Sequence, residues 1–330
     1  MLLLELAIIL AFSYLGIVIH IILHESGHLF GGLISGYQFT SFRIFNIIFI
    51  KENGKLTAKK YGIAGTMGQC LMAPPKCSNF NFPYVLYNLS GGIMNLLFSG
   101  LFFALYIIFR DIFPFAGIIF IPIFAMGVLI GAMNLIPLKS SGIPNDGYNA
   151  ILLKKSESAR RALYIMLHAN ASVASGVRYK DMPAEWTTLQ DDYNDPLNGT
   201  LALIRLNYLM DNHDFRAAKE FAGKVLSEAN KILEIHKNEL RCELLFLEII
   251  GECQQKEIEQ LYTKKLKKYI KASSSHLSKR RLMYAYSKLV THDKTETSKS
   301  LNRLNKTFLT YPYKGNLEFE RELVNIIDSI

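Results

Sequence analysis

Between Leu6 and Tyr37 the chain carries one charged side chain, Glu25, in an otherwise uncharged and largely apolar run. A helix of about 20 apolar residues crosses a bilayer. Roughly 30 residues at about 1.5 Å rise are more than enough. The first element therefore reads as a membrane span. Inside it lie His20, His24, Glu25 and His28. Polar groups are costly there, and an ionisable residue within a span is a functional-site hypothesis by default.

Residues four apart share a helix face, so His24 and His28 can present ring nitrogens to one metal ion. Glu25 follows the first of them and can reach a water on that metal. It would act there as general base, as in other His-Glu-x-x-His sites. His20, one turn earlier, reads as a hydrogen-bonded packing histidine.

The mean hydropathy of +0.17 averages two unlike halves. Residues 1–150 hold eight Lys or Arg and five Asp or Glu, leaving 29 and 23 for residues 151–330. The first part is membrane-like and the second an ordinary charged soluble domain. The net charge of +9 splits into +3 and +6. No basic stripe with interleaved aromatics is present, which argues against a nucleic-acid partner. Spans are expected at about 2–34, 84–109 and 113–138. The first lacks a basic leading region and is longer than a signal peptide's apolar core, so it reads as retained.

Arg43, Lys51, Lys55, Lys59, Lys60 and Lys76 lie between the first two spans, and Lys139, Lys154 and Lys155 follow the third. Only Arg110 lies in the turn between the second and third. The first loop and the C-terminal half are therefore expected in the cytosol. Within that loop, residues 37–50 read as an apolar strand, 52–55 as an Asn-Gly turn and 56–61 as a return strand. The hairpin could plug the helix bundle, or offer an edge to an extended substrate. Residues 65–75, with Gly65, Gly68, Pro74 and Pro75, read as irregular backbone covering the site. Cys70, Cys77, Cys242 and Cys253 are expected as thiols.

Two further polar clusters fall in this half: Ser90-Gly91-Gly92-Ile93-Met94-Asn95, and Asn134-Leu135-Ile136-Pro137 followed by Asn145-Asp146-Gly147. A catalytic zinc takes three protein ligands, and Asp146 is the natural third. The alternative, Asp111, falls in the outer turn. In this order the three motifs resemble the site-2 protease family, intramembrane zinc metalloproteases with a three-helix core. The resemblance covers residues 1–150. It implies His24, His28 and Asp146 as zinc ligands and Glu25 as catalytic acid/base. It also implies that Asn95 and Asn134 line the substrate cleft, stabilising the oxyanion. Two departures stand out. Gly91-Gly92 replaces the family's Gly-Pro, and Asn134 and Asp146 are more widely spaced than in the family, so the intervening residues must loop out.

Residues 151–330 read as successive amphipathic helices. A connecting helix and linker fill 151–197, with 181–196 as the linker. A helix pair broken at 211–214 follows, with Phe215, Ala218, Phe221, Ala222, Val225 and Leu226 on one face of its second member. Small residues beside aromatics there resemble a tetratricopeptide-type unit. More helices are expected at 231–250, 254–272, 276–292, 296–310 and 315–328. His213 and His236 read as solvated surface residues.

The expected fold class is a mainly α membrane protein: a three-span metalloprotease core with a small β-hairpin, then a soluble, solenoid-like all-α domain over 198–330. The expected function is an intramembrane zinc endopeptidase, holding one Zn2+ and cleaving a bond within or beside a substrate's transmembrane segment. Its expected partners are a membrane-embedded protein or peptide substrate, the lipid bilayer, and a protein partner on the helical domain. Its expected location is a bacterial plasma membrane, crossed several times. The alternative is an inactive membrane scaffold whose helical domain binds a partner.

Overall fold

α1 (Leu2–Ile34) runs for 33 residues without a proline. A computed structural model describes the chain except for residues 1, 53, 64, 141–142, 189–194 and 230. The described residues are mainly helical, with a few short strands. Three helices are long and apolar enough to cross a membrane: Leu3–Ile34, Tyr84–Phe109 and Ala116–Leu135. The chain divides into two units, residues 1–44 with 67–160, and residues 45–66 with 161–330.

In the first unit α1, α2 (Tyr84–Phe109) and α3 (Ala116–Leu135) each pack on the other two. Large apolar side chains such as Leu10, Leu97, Ile108 and Leu129 stay exposed on them. In water an apolar surface of this extent would seek cover. α3 is shorter than the expected 113–138. It begins after Pro114, and it ends where Ile136, extended with ψ 125, precedes Pro137. A residue before proline is pushed out of the helical region. β1 (Gln38–Ile44) and β4 (Gly68–Ala73) form an antiparallel ladder from Gln38↔Ala73 to Ile44↔Gly68. Residues 68–73 are thus a strand, not irregular backbone, because β1 supplies their hydrogen-bond partners.

After α3, β5 (Lys139–Ser140) pairs with β6 (Ile143–Pro144), and α4 (Asp146–Lys155) begins at once. The residues between Asn134 and Asp146 therefore fold back on themselves. Residues 141–142 lie outside the described residues.

The second unit begins with a correction to the expected hairpin. The chain from 37 to 50 is not one strand, because it breaks at Phe45, which takes φ 51. Beyond the break, β2 (Ile47–Glu52) pairs with β3 (Lys55–Lys60), in register from Ile47↔Lys60 to Glu52↔Lys55. Asn53 of the expected turn lies outside the described residues, and Gly54 has φ +81. This hairpin is built into the core of the helical unit. Ile48, Ile50 and Tyr61 are buried with Leu206, Phe246 and Leu282. Tyr61 packs edge-on against Tyr311 and Tyr313, and Ser275 Oγ donates to Gly62 O at 2.6 Å. The domain ranges read from sequence, with everything up to 150 in one body, miss this exchange of residues 45–66.

α5 (Glu157–Ser175) carries the division between the units, and α6 (Ala184–Thr187) is a single turn. Residues 189–194 of the expected linker lie outside the described residues. α7 (Asn198–Asp211) and α8 (Phe215–Glu228) are the expected pair. His213 at φ 61 ends the first, and the Asp214 side chain caps the second by accepting from Ala217 N. Capping of this kind satisfies one of the free N–H groups at a helix start. α9 (Glu234–Ile250), α10 (Gln255–Leu261), α11 (Lys264–Ala272), α12 (Leu277–Ala285), α13 (Lys294–Thr310) and α14 (Lys314–Ser329) complete the unit. The expected helix 254–272 is two helices, with Thr263 capping the second.

His236 is not the solvated residue its sequence context implies: its ring lies against Gly199. Burial lowers its pKa to about 4, and burial does the same to His276. His213 does stay exposed, beside Glu322. Beneath the helices, Arg281 is buried between Glu243 and Glu320, 2.6 Å from each. Desolvating charge is affordable only when it is paired in this way.

Candidate metal centre

α1 places His24 and His28 on one face, one turn apart. Their Nε2 atoms lie 3.1 Å from each other. Asp146 Oδ2 lies 3.1 Å from His24 Nε2 and 3.4 Å from His28 Nε2. Four ligands at about 2.0–2.1 Å around a tetrahedral ion are about 3.3–3.4 Å apart. The three donor atoms therefore stand close to the spacing that one such ion requires. His24, His28 and Asp146 form a group that could hold a metal ion.

The donor chemistry fits as well. Asp146 Oδ2 is buried without a hydrogen bond, a costly state unless something else meets its charge. His28 Nδ1 lies 2.7 Å from the carbonyl of Tyr87. A carbonyl only accepts, so Nδ1 carries a proton, and in the neutral ring Nε2 then offers a lone pair. Acceptors behind ligating histidines fix their tautomer in this way. Burial raises the Asp146 carboxyl, but the two histidines, when protonated, outweigh it and hold it well below the usual carboxylate range. A carboxylate must be deprotonated to ligate a metal.

α2 leaves room for the rings because Gly91 faces them. A Cβ there would stand 2.6 Å from His28 Nε2 and 2.7 Å from His24 Cε1. Tyr87, one turn earlier, donates its hydroxyl to Cys70 O at 2.7 Å and so ties α2 to β4. Asp146 reaches the histidines because α4 starts directly behind α3. Asn145 caps α4 by accepting from Tyr148 N. The same side chain accepts from Leu138 N and donates to Met133 O and Ile136 O. One asparagine thus fastens the end of α3 to the start of α4. A carboxylate in the first turn of a helix is also favoured by the helix dipole.

Glu25 follows His24 on α1 and is buried, at 8% exposure. Gly68, the first residue of β4, lies against its carboxylate: a Cβ on Gly68 would stand 2.6 Å from Glu25 Cγ. Arg43 of β1 is fully buried and donates to Gly68 O at 3.2 Å, which holds the ladder in place there. Burial raises the Cys70 thiol far above its ordinary value, and Cys70 does not belong to the donor group. All four cysteines are free.

The other residues read from sequence fall elsewhere. Asn95 is fully buried, between His20 and His24. Asn134 turns its amide back to Ile130 O of its own helix at 2.9 Å. Asp111 is exposed beside Arg110, away from the donors. Sequence reading passed over Tyr87, Arg43 and Asn145. Tyr87 acts through its carbonyl and leaves no side-chain signal. Arg43 had one, a lone cation in an apolar strand. Asn145 had another, a capping residue opening a helix. No family model, curated protein or solved structure matches the chain.

Proposed function

We propose that this chain is an intramembrane zinc metalloendopeptidase of the site-2 protease type, with His24, His28 and Asp146 as metal ligands and Glu25 as acid/base. The observation that carries this reading is the convergence of three donor atoms, two of them on a helix apolar enough for a bilayer that also carries the buried Glu25. A zinc ion held there would supply an activated water and polarise the scissile carbonyl. Glu25, buried on the same helix as the two histidines, would take a proton from the attacking water and deliver it to the leaving amine. Exclusion of bulk water by α1, α2 and β4 strengthens these electrostatic contacts.

A substrate helix must unwind to be cut, because its carbonyls are hydrogen-bonded. β4 pairs with β1 on one side, and among the described residues no strand pairs with its other edge. An unwound segment added to that edge would run past Glu25, since Gly68 is at once a strand residue and a neighbour of the carboxylate. The Lys/Arg distribution supports an orientation with the site toward the cytosolic side and residues 161–330 in the cytosol.

The test is metal analysis of the purified chain, paired with membrane proteomics of cells expressing wild type or Glu25→Gln. One zinc per chain in both, with a membrane-anchored fragment precursor accumulating only with Glu25→Gln, is the expected result. Absence of bound zinc from the wild type overturns the reading.

A further inference from the structure

Asn95 has the two ends of its amide committed on either side. Its Nδ2 position lies 3.2 Å from His24 Nδ1, and its Oδ1 position 3.3 Å from His20 Nδ1. It is fully buried, as is His20. His20 and His24 are one turn apart on α1 and face α2 together. A fully buried amide with both ends against histidines is placed to act on those histidines.

Proton accounting defines that work. His24 turns Nε2 toward Asp146 and His28. An imidazole that ligates through Nε2 is neutral and carries its proton on Nδ1. The group facing His24 Nδ1 must then accept, and the only acceptor on a carboxamide is its oxygen. The two ends of the amide have the same shape, so the hydrogen-bond network decides which faces His24. With oxygen toward His24, the NH2 donates to His20 Nδ1, and the His20 proton sits on Nε2. With the amide the other way round, His24 Nδ1 accepts. Its proton then lies on Nε2, among the three donor atoms, where it blocks a metal. Only one amide orientation permits a metal at His24.

We propose that Asn95, with its amide held by His20, is the positioning residue that sets the His24 tautomer and thereby the metal affinity of the site. This rests on the metal reading above. The two ligating histidines are then oriented by different devices. His28 faces the Tyr87 carbonyl, a backbone acceptor that cannot turn round. His24 faces a side chain that can. Ser99, one turn on from Asn95, donates to Asn95 O at 2.7 Å and so braces this stretch of α2.

The experiment uses the full chain in detergent, with Zn2+ competed against a chromogenic chelator at fixed pH. Asn95→Leu keeps the bulk and removes the acceptor, and should weaken Zn2+ binding by about 10–100-fold, the usual effect of losing a partner behind a metal ligand. Asn95→Asp presents an acceptor in either orientation and should stay within about fivefold of wild type. In zinc-loaded wild type with 15N-labelled histidine, the His24 signal should report a proton on Nδ1 and ligation through Nε2. Unchanged affinity in Asn95→Leu overturns the proposal, as does an Asn95→Asp as weak as the leucine variant. If Asn95→Leu does not fold, the His24 nitrogen spectrum decides alone, and ligation through Nδ1 overturns the proposal. A wild type that binds no zinc fails the metal reading itself and is told apart by that control.

Discussion

His24 Nε2 and Asp146 Oδ2 stand 3.1 Å apart, although the two residues come from opposite ends of the membrane-like half of the chain. One belongs to the middle of a long helix and the other to the first turn of a short one. Their meeting makes the donor set, and each prediction below perturbs it or its surroundings.

The three donors should share one ion. His28→Ala and Asp146→Asn should each lower zinc affinity at least 100-fold, because a site reduced to two protein ligands no longer meets the coordination a catalytic zinc takes. Zinc content after dialysis against a weak chelator measures this. Normal content in Asp146→Asn would remove that residue from the site.

Glu25→Gln should separate metal binding from chemistry. The amide keeps the shape and cannot take a proton, so zinc content should match wild type. Cleavage of the substrate identified by proteomics should fall at least 100-fold, in line with the usual contribution of a general base.

Gly91 and Gly100 offer a matched pair on α2. A methyl at Gly91 would stand 2.6 Å from His28 Nε2, whereas nothing lies within 4 Å of one at Gly100. Gly91→Ala should abolish zinc binding with the helices intact. Gly100→Ala should bind zinc normally and gain about 0.5–1 kcal/mol of stability from the better helix former. Equal zinc binding by the two variants would show that α2 does not press on the histidines.

Asn145→Ala should cost about 1–2 kcal/mol through the lost cap. It should also loosen zinc binding, because the α3–α4 fastening goes with it. Asn145→Asp keeps the cap but cannot donate to Met133 O and Ile136 O. It should therefore restore stability more fully than metal affinity. Thermal unfolding and chelator competition on the same preparations separate the two effects.

Acid should weaken the helical unit. His236 and His276 titrate near 4 when folded and near 6.5 in the unfolded chain, chiefly because burial opposes their charged forms. Glu239 acts against that shift at both, while Lys279 reinforces it at His276. Between these values the unfolded chain binds more protons, so stability falls as pH drops from 6.5 toward 4 and is unaffected by these groups above 7. Unfolding midpoints at pH 7.5 and 5.0 should differ, and His236→Gln with His276→Gln should shrink the difference. A double variant with an unaltered pH response would contradict this origin.

His24, Glu25 and His28 were legible in the sequence because their geometry is local. A helix spaces i and i+4 by its own pitch, and an uncharged run that long tolerates little else but a helix. The three apolar helices were legible for the same reason, as was the α7–α8 pair with its break at His213. The roles of residues 45–66 were not. Alternation at Ile48 and Ile50 announces a buried face, but period two says nothing about which body buries it. Phe45 at φ 51 redirects the chain, and no local pattern marked that residue.

Asp146 lies between these cases. Sequence named it as a candidate without showing that the stretch from Asn134 could bring it to the histidines. That depended on β5 pairing with β6, and on Asn145 joining two carbonyls of one helix end to the start of the next. Asn95 shows the limit most clearly. Its residue type announced a polar role in an apolar helix, yet only packing placed one end of its amide on His20 and the other on His24. Sequence determined which side chains could hold a metal and the helix pitch that pairs two of them. Tertiary structure decided the third donor, the acceptors behind the rings and the strand beside Glu25, because each depends on contacts between elements far apart in the chain.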